Sequence, residues 1–316
     1  MKHYLGMDIG GTKCAVVICE EGSEKIKDKI KFDTLSSRDP YEIIDDLIEN
    51  AQKILSRNSI TDKDIISCGI SCGGPLNQNT GVIMSPPNLP KWDNIPICKI
   101  VKEKLDIPCV LRNDADACAL AEWKFGAGKG CNNMIFLTFG TGMGAGLILN
   151  GKLYSGATGT AGEVGHIRLA DFGPLGYGKE GSFEGFCSGG GIANLGKIML
   201  KDYKSETLLK NTELTAKSVA EAANKGDTLA LEIYKKCGEM LGKGLAIIVD
   251  ILNPERIVIG SIFERSGNLL INSMTEALKK EALDINYKAC KIVPATLGDE
   301  IGDFAAIGVA KEYEGS

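Results

Sequence analysis

Two short stretches set backbone rather than side chains in position to do chemistry. Residues 7–18 read MDIGGTKCAVVI and residues 136–149 read FLTFGTGMGAGLIL. Each is an apolar strand, a Gly/Thr turn and a second apolar strand. Glycine at such a turn lets several N–H groups point at one spot and lets a ligand come close, and phosphate oxygens fit that spot. Three phosphate readings compete. A Walker A loop needs GxxxxGK[ST], which the chain lacks. A dinucleotide fingerprint must open a helix. Gly140, Gly142 and Ala145 match its spacing, but a strand follows, with Asn150-Gly151 signalling a hairpin. A pair of facing hairpins, one per lobe, gripping a nucleotide polyphosphate uses both stretches. A single glycine hairpin is commonly no more than a turn; it is the pair that points to function.

Histidine restricts the chemistry further. The chain has two, His3 and His166, too few for a multi-histidine metal site and poor material for a Ser-His-Asp hydrolase. A general base is therefore expected to be a carboxylate. Asp114, in RNDAD, stands where a strand ends and a helix begins. It suits a base projecting into a cleft and equally a helix N-cap, and the residues alone leave the two readings open. Asp8 precedes the first glycine turn. A carboxylate beside a polyphosphate serves Mg²⁺, often through water; a strand-end Asp bonded to turn amides is the plainer reading. Lys13 adds charge to the turn or faces solvent. The cysteines number eleven, odd and scattered without a CxxC pair, and read as reduced, mostly buried thiols.

The elements that must position these residues alternate between strand and helix, which argues for α/β layers. Residues 40–57 carry a helical apolar stripe, DIISCGISCGGPL is a short strand, IPCVLRND a strand, and DADACALAEWKF a helix closed by Gly126. Residues 155–191 are glycine-dense with few helix signals. Residues 218–252 are mostly helical, and RIVIGS is a buried strand ending on a glycine turn. At 316 residues two lobes are expected, with the repeated strand–turn–strand as their shared plan. The division expected is 1–114 for a small lobe, joined by a C-terminal helix over 303–316, and 115–302 for a large one. Charged residues make up 24% and the net charge is −5, which speaks against a nucleic-acid surface. No apolar run approaches the ~20 residues that span a bilayer, so a cytoplasmic protein without a membrane partner is expected.

DIGGTK, GTGMGAG and AGEVGH, in that order and spacing, resemble the ROK family of bacterial sugar kinases, with NLPKW, Asn113-Asp114 and NPERIVIGS falling where the family has related pieces. The resemblance spans essentially the whole chain. It implies an actin-like, ribonuclease-H-like fold of two lobes around a cleft, ATP with Mg²⁺, and a sugar hydroxyl as acceptor. It also implies Asp114 as the base and Gly74, Asn88, Asn113, Asp114, Glu163, His166 and Glu184 at the sugar. Asp8 would hold Mg²⁺ through water. Gly10, Gly11, Thr12 and Lys13 would make one phosphate loop, Gly140, Thr141, Gly142 and Gly144 the other, with Gly260 and Ser261 on the adenosine side. Repressor relatives carry a helix-turn-helix several dozen residues ahead of DIGGTK; with seven residues before Asp8, a kinase is expected here. The family's zinc motif, CxCGxxGCxE, reads LGYGKEGSFE at 175–184. Leu175, Tyr177 and Ser182 stand in place of its cysteines, so no structural zinc is expected, and packing by Leu175, Tyr177, Phe183 and Phe186 is expected to hold the loop instead. The reading is an ATP-dependent hexose kinase acting at the 6-hydroxyl, glucokinase-like, and a homodimer. Its rivals are an N-acetylglucosamine or N-acetylmannosamine kinase and a non-catalytic sugar sensor on the same fold.

Overall fold

The computed structural model describes residues 1–313, and the chain divides into two compact units. The first comprises Met1–Lys129, Ser155–Gly159 and the chain from Leu297 onward; the second comprises Gly130–Tyr154 and Thr160–Thr296. In chain order the first unit holds strands β1 (His3–Ile9), β2 (Lys13–Glu20), β3 (Ile26–Asp33) and β4 (Ile65–Cys72), a ribbon of β5 (Leu76–Asn77) and β6 (Val82–Ile83), and β7 (Cys109–Asn113). Its helices are α1 (Pro40–Arg57), α2 (Ile97–Leu105) and α3 (Asp114–Phe125). The sheet order is β3-β2-β1-β4-β7, with the hairpin pairs antiparallel and β1, β4 and β7 parallel.

The second unit repeats that plan. Strands β8 (Met134–Phe139), β9 (Met143–Leu149), β10 (Lys152–Leu153), β13 (Arg256–Ile259) and β14 (Lys291–Pro294) pair in the order β10-β9-β8-β13-β14. A separate small hairpin joins β11 (Leu175–Gly176) to β12 (Lys179–Glu180). Helices α4 (Phe183–Phe186), α5 (Gly189–Asp202), α6 (Ala216–Asn224), α7 (Thr228–Leu252), α8 (Ile262–Glu281) and α9 (Asp284–Ala289) complete it, and α10 (Ile301–Ala310) returns to the first unit.

Local signals account for most of these elements. Asp39 caps α1 by accepting from Tyr41 N–H, Pro40 opens it, and its buried stripe is the expected one. Strand β2 is apolar from Cys14 to Cys19, where both of its faces are covered. Cys14, Val16 and Ile18 join the core with α1, while Val17 and Cys19 pack with Ala306 and Ile307 of α10. Strand β3, IKDKIKFD, and helices α2 and α5 carried no sequence expectation. β3 is an edge strand on which Lys27 and Lys31 face water while Lys29 pairs with Asp303.

The division differs from the one expected at residue 114. Helix α3 stays with the first unit because it packs on α10. The expected C-terminal helix over 303–316 is observed as Ile301–Ala310, and residues 314–316 lie outside the described residues.

Helix α10 sits directly on β4. Ser67 Oγ donates to Ala310 O at 2.6 Å, and a Cβ on Gly69 would lie 2.2 Å from both Ala306 O and Ala310 N. Those are backbone atoms and cannot swing aside. Gly69→Ala is expected to destabilise the protein by about 1–3 kcal/mol, read as a lower urea midpoint.

Candidate active site

In the first unit the register of three parallel strands makes an edge. Ile9 lies opposite Cys72, and Cys72 opposite Asn113. The residues that follow, Gly10, Gly73 and Asp114, therefore leave the sheet side by side at the carboxyl ends of the strands, where open α/β sheets bind ligands. The first turn is closed by Gly10 N–H donating to Lys13 O at 3.1 Å and by Thr34 Oγ1 donating to Gly10 O at 2.6 Å. Thr12 and Lys13 are exposed. The NLPKW loop comes to this turn: a Cβ on Gly11 would lie 2.6 Å from Asn88 O, and one on Gly73 would lie 3.3 Å from Asn88 Oδ1. Its anchors are Leu89 and Trp92, both fully buried. Gly74 and Asn88 are exposed on the same edge.

The two readings of Asp114 separate here. Asn113 is the N-cap of α3, its side chain accepting from Asp116 N–H at 2.7 Å. Asp114 is the first helical residue, exposed, with Oδ1 accepting from Ala115 N–H at 2.9 Å. Protein packed around Asp114 pushes its carboxyl above the ordinary range, against the pull of that hydrogen bond. Asp116, which the sequence reading passed over, is buried; burial raises it to about 7, with Arg112 opposing. The Asn-x-x-Asp spacing was its one legible signal.

Asp8 sits one row back, opposite Ser71. Burial first, then the charges of Asp303 and Asp114, raise its pKa to about 6. Asp303 is paired with Lys29. Among the described residues nothing donates a hydrogen bond to the Asp8 carboxylate, so the reading of Asp8 as bonded to turn amides fails. A half-buried carboxylate with unfilled lone pairs can accept hydrogen bonds from the waters of a hard divalent cation, though by itself it is not a direct ligand set.

In the second unit the remaining candidates gather around β8 and β9. Gly140 N–H donates to Gly142 O at 3.1 Å, Gly144 N–H donates to Thr138 Oγ1 at 2.9 Å, and Thr141 is exposed at the tip. Gly260 follows β13 and donates to Leu137 O at 3.0 Å, and Ser261 Oγ lies 3.4 Å from where a Gly140 Cβ would stand. A third glycine run joins them, missed in the sequence. Ser188 caps α5, and Gly189 N–H donates to Gly140 O at 2.8 Å. SGGG ahead of an apolar run was the available signal; the result is a helix N-terminus beside the GTG turn, its first N–H bonded to Gly140 O and its third to the Ser188 cap.

AGEVGH is laid against β9 by its glycines. A Cβ on Gly162 would lie 2.0 Å from Ala145 O, and one on Gly165 2.2 Å from Met143 O. Glu163 is exposed and His166 half-buried beside them. Glu184 reaches the same place, accepting from Met143 N–H at 3.0 Å, so one carboxylate links AGEVGH to the glycine turn. Among the described residues no three His, Cys, Asp or Glu side chains are grouped to hold a metal ion. Ser182 is occupied as the cap of α4. The expected packing of the loop is half right. Phe183 and Phe186 are buried, but Leu175 is 57% and Tyr177 78% exposed, Leu175 in the two-residue strand β11 and Tyr177 in the turn of the β11–β12 hairpin.

A family model, ROK, matches residues 4–312. A glucokinase from Halalkalibacterium halodurans is 32% identical, the match covering 100% of this chain and 97% of the relative. The structure of a ROK hexokinase from Thermus thermophilus superposes with a TM-score of 0.85 at 26% identity, covering 98% of both chains. That of a ROK family glucokinase from Streptomyces griseus in complex with glucose and AMPPNP gives 0.72 at 27% identity, again over 98% of both. No helix of the described residues is long and apolar enough to cross a membrane.

The electrostatics of Asp8 yield a pH signature. Its pKa rises from an ordinary 3.8 to about 6 on folding, so the folded state holds the proton more tightly. That contribution to stability is full below pH 3.8 and is lost as pH rises through about 6. In chelator-treated buffer Asp8→Asn is expected to melt higher than wild type at pH 7.5, by roughly 1–3 kcal/mol, with the gap closing between about pH 6 and pH 4.

Proposed function

This chain belongs to the ROK family, and from that premise we propose that it transfers the γ-phosphoryl group of ATP to the 6-hydroxyl of a hexose, glucose first among them. The observation that carries the catalytic assignment is the division of labour at the start of α3. Asn113 does the capping, which leaves Asp114 exposed at the strand-end edge as a carboxylate with a raised proton affinity. A base of that kind suits a hydroxyl nucleophile at near-neutral pH. Asp114 takes the 6-hydroxyl proton as that oxygen bonds to the γ-phosphorus; the bond to the β–γ bridging oxygen breaks, and ADP leaves.

The other residues follow from chemistry and position. Gly74, Asn88, Asn113, Glu163, His166 and Glu184 orient the sugar through its hydroxyls, with carboxylates accepting from neighbouring pairs. Gly10 to Lys13 and Gly140 to Gly144 form the two phosphate loops: Gly10, Gly140 and Gly144 close the turns with their own N–H groups, Gly11, Thr12, Thr141 and Gly142 present theirs to the phosphates with the Lys13 charge beside them, and Gly260 and Ser261 meet the nucleoside side. The α5 N-terminus braces this second loop, Gly189 N–H donating to Gly140 O. A bound Mg²⁺ supplies charge neutralisation at the phosphate oxygens, and Asp8 is the residue that would hold it, through water. The enzyme acts in the cytoplasm as a homodimer, its first unit serving as the smaller lobe, and carries no zinc.

An ADP-release assay across hexoses and N-acetylhexosamines tests the activity and separates glucose from N-acetylglucosamine and N-acetylmannosamine. Absence of turnover with every sugar, alongside measurable sugar binding, would return the protein to the sensor reading. Asp114→Asn keeps both the cap and the shape, so calorimetric sugar binding is expected to persist while kcat falls ~10²–10⁴-fold. For the metal, purified protein is expected to hold far less than one zinc per chain. EDTA treatment, with Mg²⁺ restored before assay, is expected to leave melting temperature and activity unchanged.

A further inference from the structure

The segment between His166 and Glu184 folds back on itself. Leu169 and Ala170 N–H both donate to Gly181 O, and Phe183 N–H donates to Ile167 O at 2.8 Å. Arg168 donates to Glu180 O at 2.8 Å. At its outer end the β11–β12 hairpin turns on Tyr177 and Gly178, with φ of +44° and +75°. Two successive positive φ values are the mark of a type I′ turn, whose first position belongs to Asn, Asp or Gly. A tyrosine there is strained, and its ring is not anchored in the core, being 78% exposed.

What the ring does touch is His166. The two ring centroids are 5.0 Å apart at an interplanar angle of 79°, an edge-to-face contact. Two residues on, Lys179 Nζ donates to His166 O at 2.7 Å. The hairpin thus clips His166 twice, once by its backbone and once by its ring. Among the described residues nothing hydrogen-bonds the imidazole, and the tyrosine ring lies edge-on against it.

We propose that Tyr177 is a positioning residue that holds the His166 imidazole in the orientation from which it meets a sugar hydroxyl. The proposal rests on the reading of His166 as a sugar ligand. A strained backbone conformation persists only where its surroundings over-determine it, and the ring contact is the interaction that sets the tyrosine apart from the asparagine the turn would prefer. The contact orients a substrate group and takes no part in phosphoryl transfer, so its loss shows in sugar binding rather than in turnover.

Having two histidines makes the test direct, since the imidazole C–H region of an NMR spectrum holds two sets of signals and His166→Asn identifies one of them. Tyr177→Asn suits the turn and is expected to keep the melting temperature or raise it. It should move the His166 signals as the tyrosine ring current is lost. KM for glucose should rise roughly 2- to 10-fold, the size of one edge-to-face pair, with KM for ATP and kcat unchanged. Tyr177→Phe keeps the ring and is expected to match wild type in all of these. Unmoved His166 signals in Tyr177→Asn, or moved signals with an unchanged KM for glucose, would overturn the positioning role. A normal KM for glucose in His166→Asn overturns instead the reading of His166 as a sugar ligand, and is told apart because the Tyr177→Asn signals still move.

Discussion

One row of parallel backbone pairing carries the edge at which the first unit presents its chemistry. With Ile9 opposite Cys72 and Cys72 opposite Asn113, Gly10, Gly73 and Asp114 leave the sheet together, and Asp8 stands one residue behind. Side chains alternate along a strand, so a slip of one residue would turn Asp8 to the other face. The register is held by burial on both sides: α1 covers Val16 and Ile18, α10 covers Val17 and Cys19. Ser67 and Gly69 let α10 approach closely enough to lock β4 in place.

The second unit meets a similar demand with the same strand order and different residues. Its turn after β8 is joined by the turn after β13 and by the start of α5, so three glycine-bearing corners meet around Gly140. Carboxylates are placed differently in the two units. Asp8 is held near Asp114 and Asp303 with no donor among the described residues, an arrangement that raises its proton affinity and suits function better than stability. Glu184 has a backbone donor in Met143, which fixes one of its oxygens.

The loop from His166 to Glu184 is held by apolar packing at one end and by backbone pairing along its length. Phe183 and Phe186 sink into the core around α7, while paired backbone at Ile167–Ala170 and Gly181–Phe183 supplies the rest. Leu175 and Tyr177 take no share in that core because a two-strand hairpin this short has no second layer over it. Of the two, Tyr177 makes a specific contact, and it makes it with His166.

Much was legible in the residues alone. The paired glycine turns, the stripe of α1, the Asn150-Gly151 hairpin and the strand–helix junction at Asp114 all rest on short-range rules, since turn chemistry and apolar period act over a few residues. The edge strand β3 and the glycine-led α5 were not legible, because neither has a strong local pattern: β3 mixes charge into its alternation and α5 begins on three glycines that disfavour helix. Nor could the sequence decide between Asn113 and Asp114 as cap, attach Glu184 to Met143, or set the tyrosine edge against His166. Those relations join residues brought together by strand register and by backbones packed at glycine distance. Only the folded chain defines them, because a contact across tens of residues depends on where each segment lies in space, and no local preference encodes that.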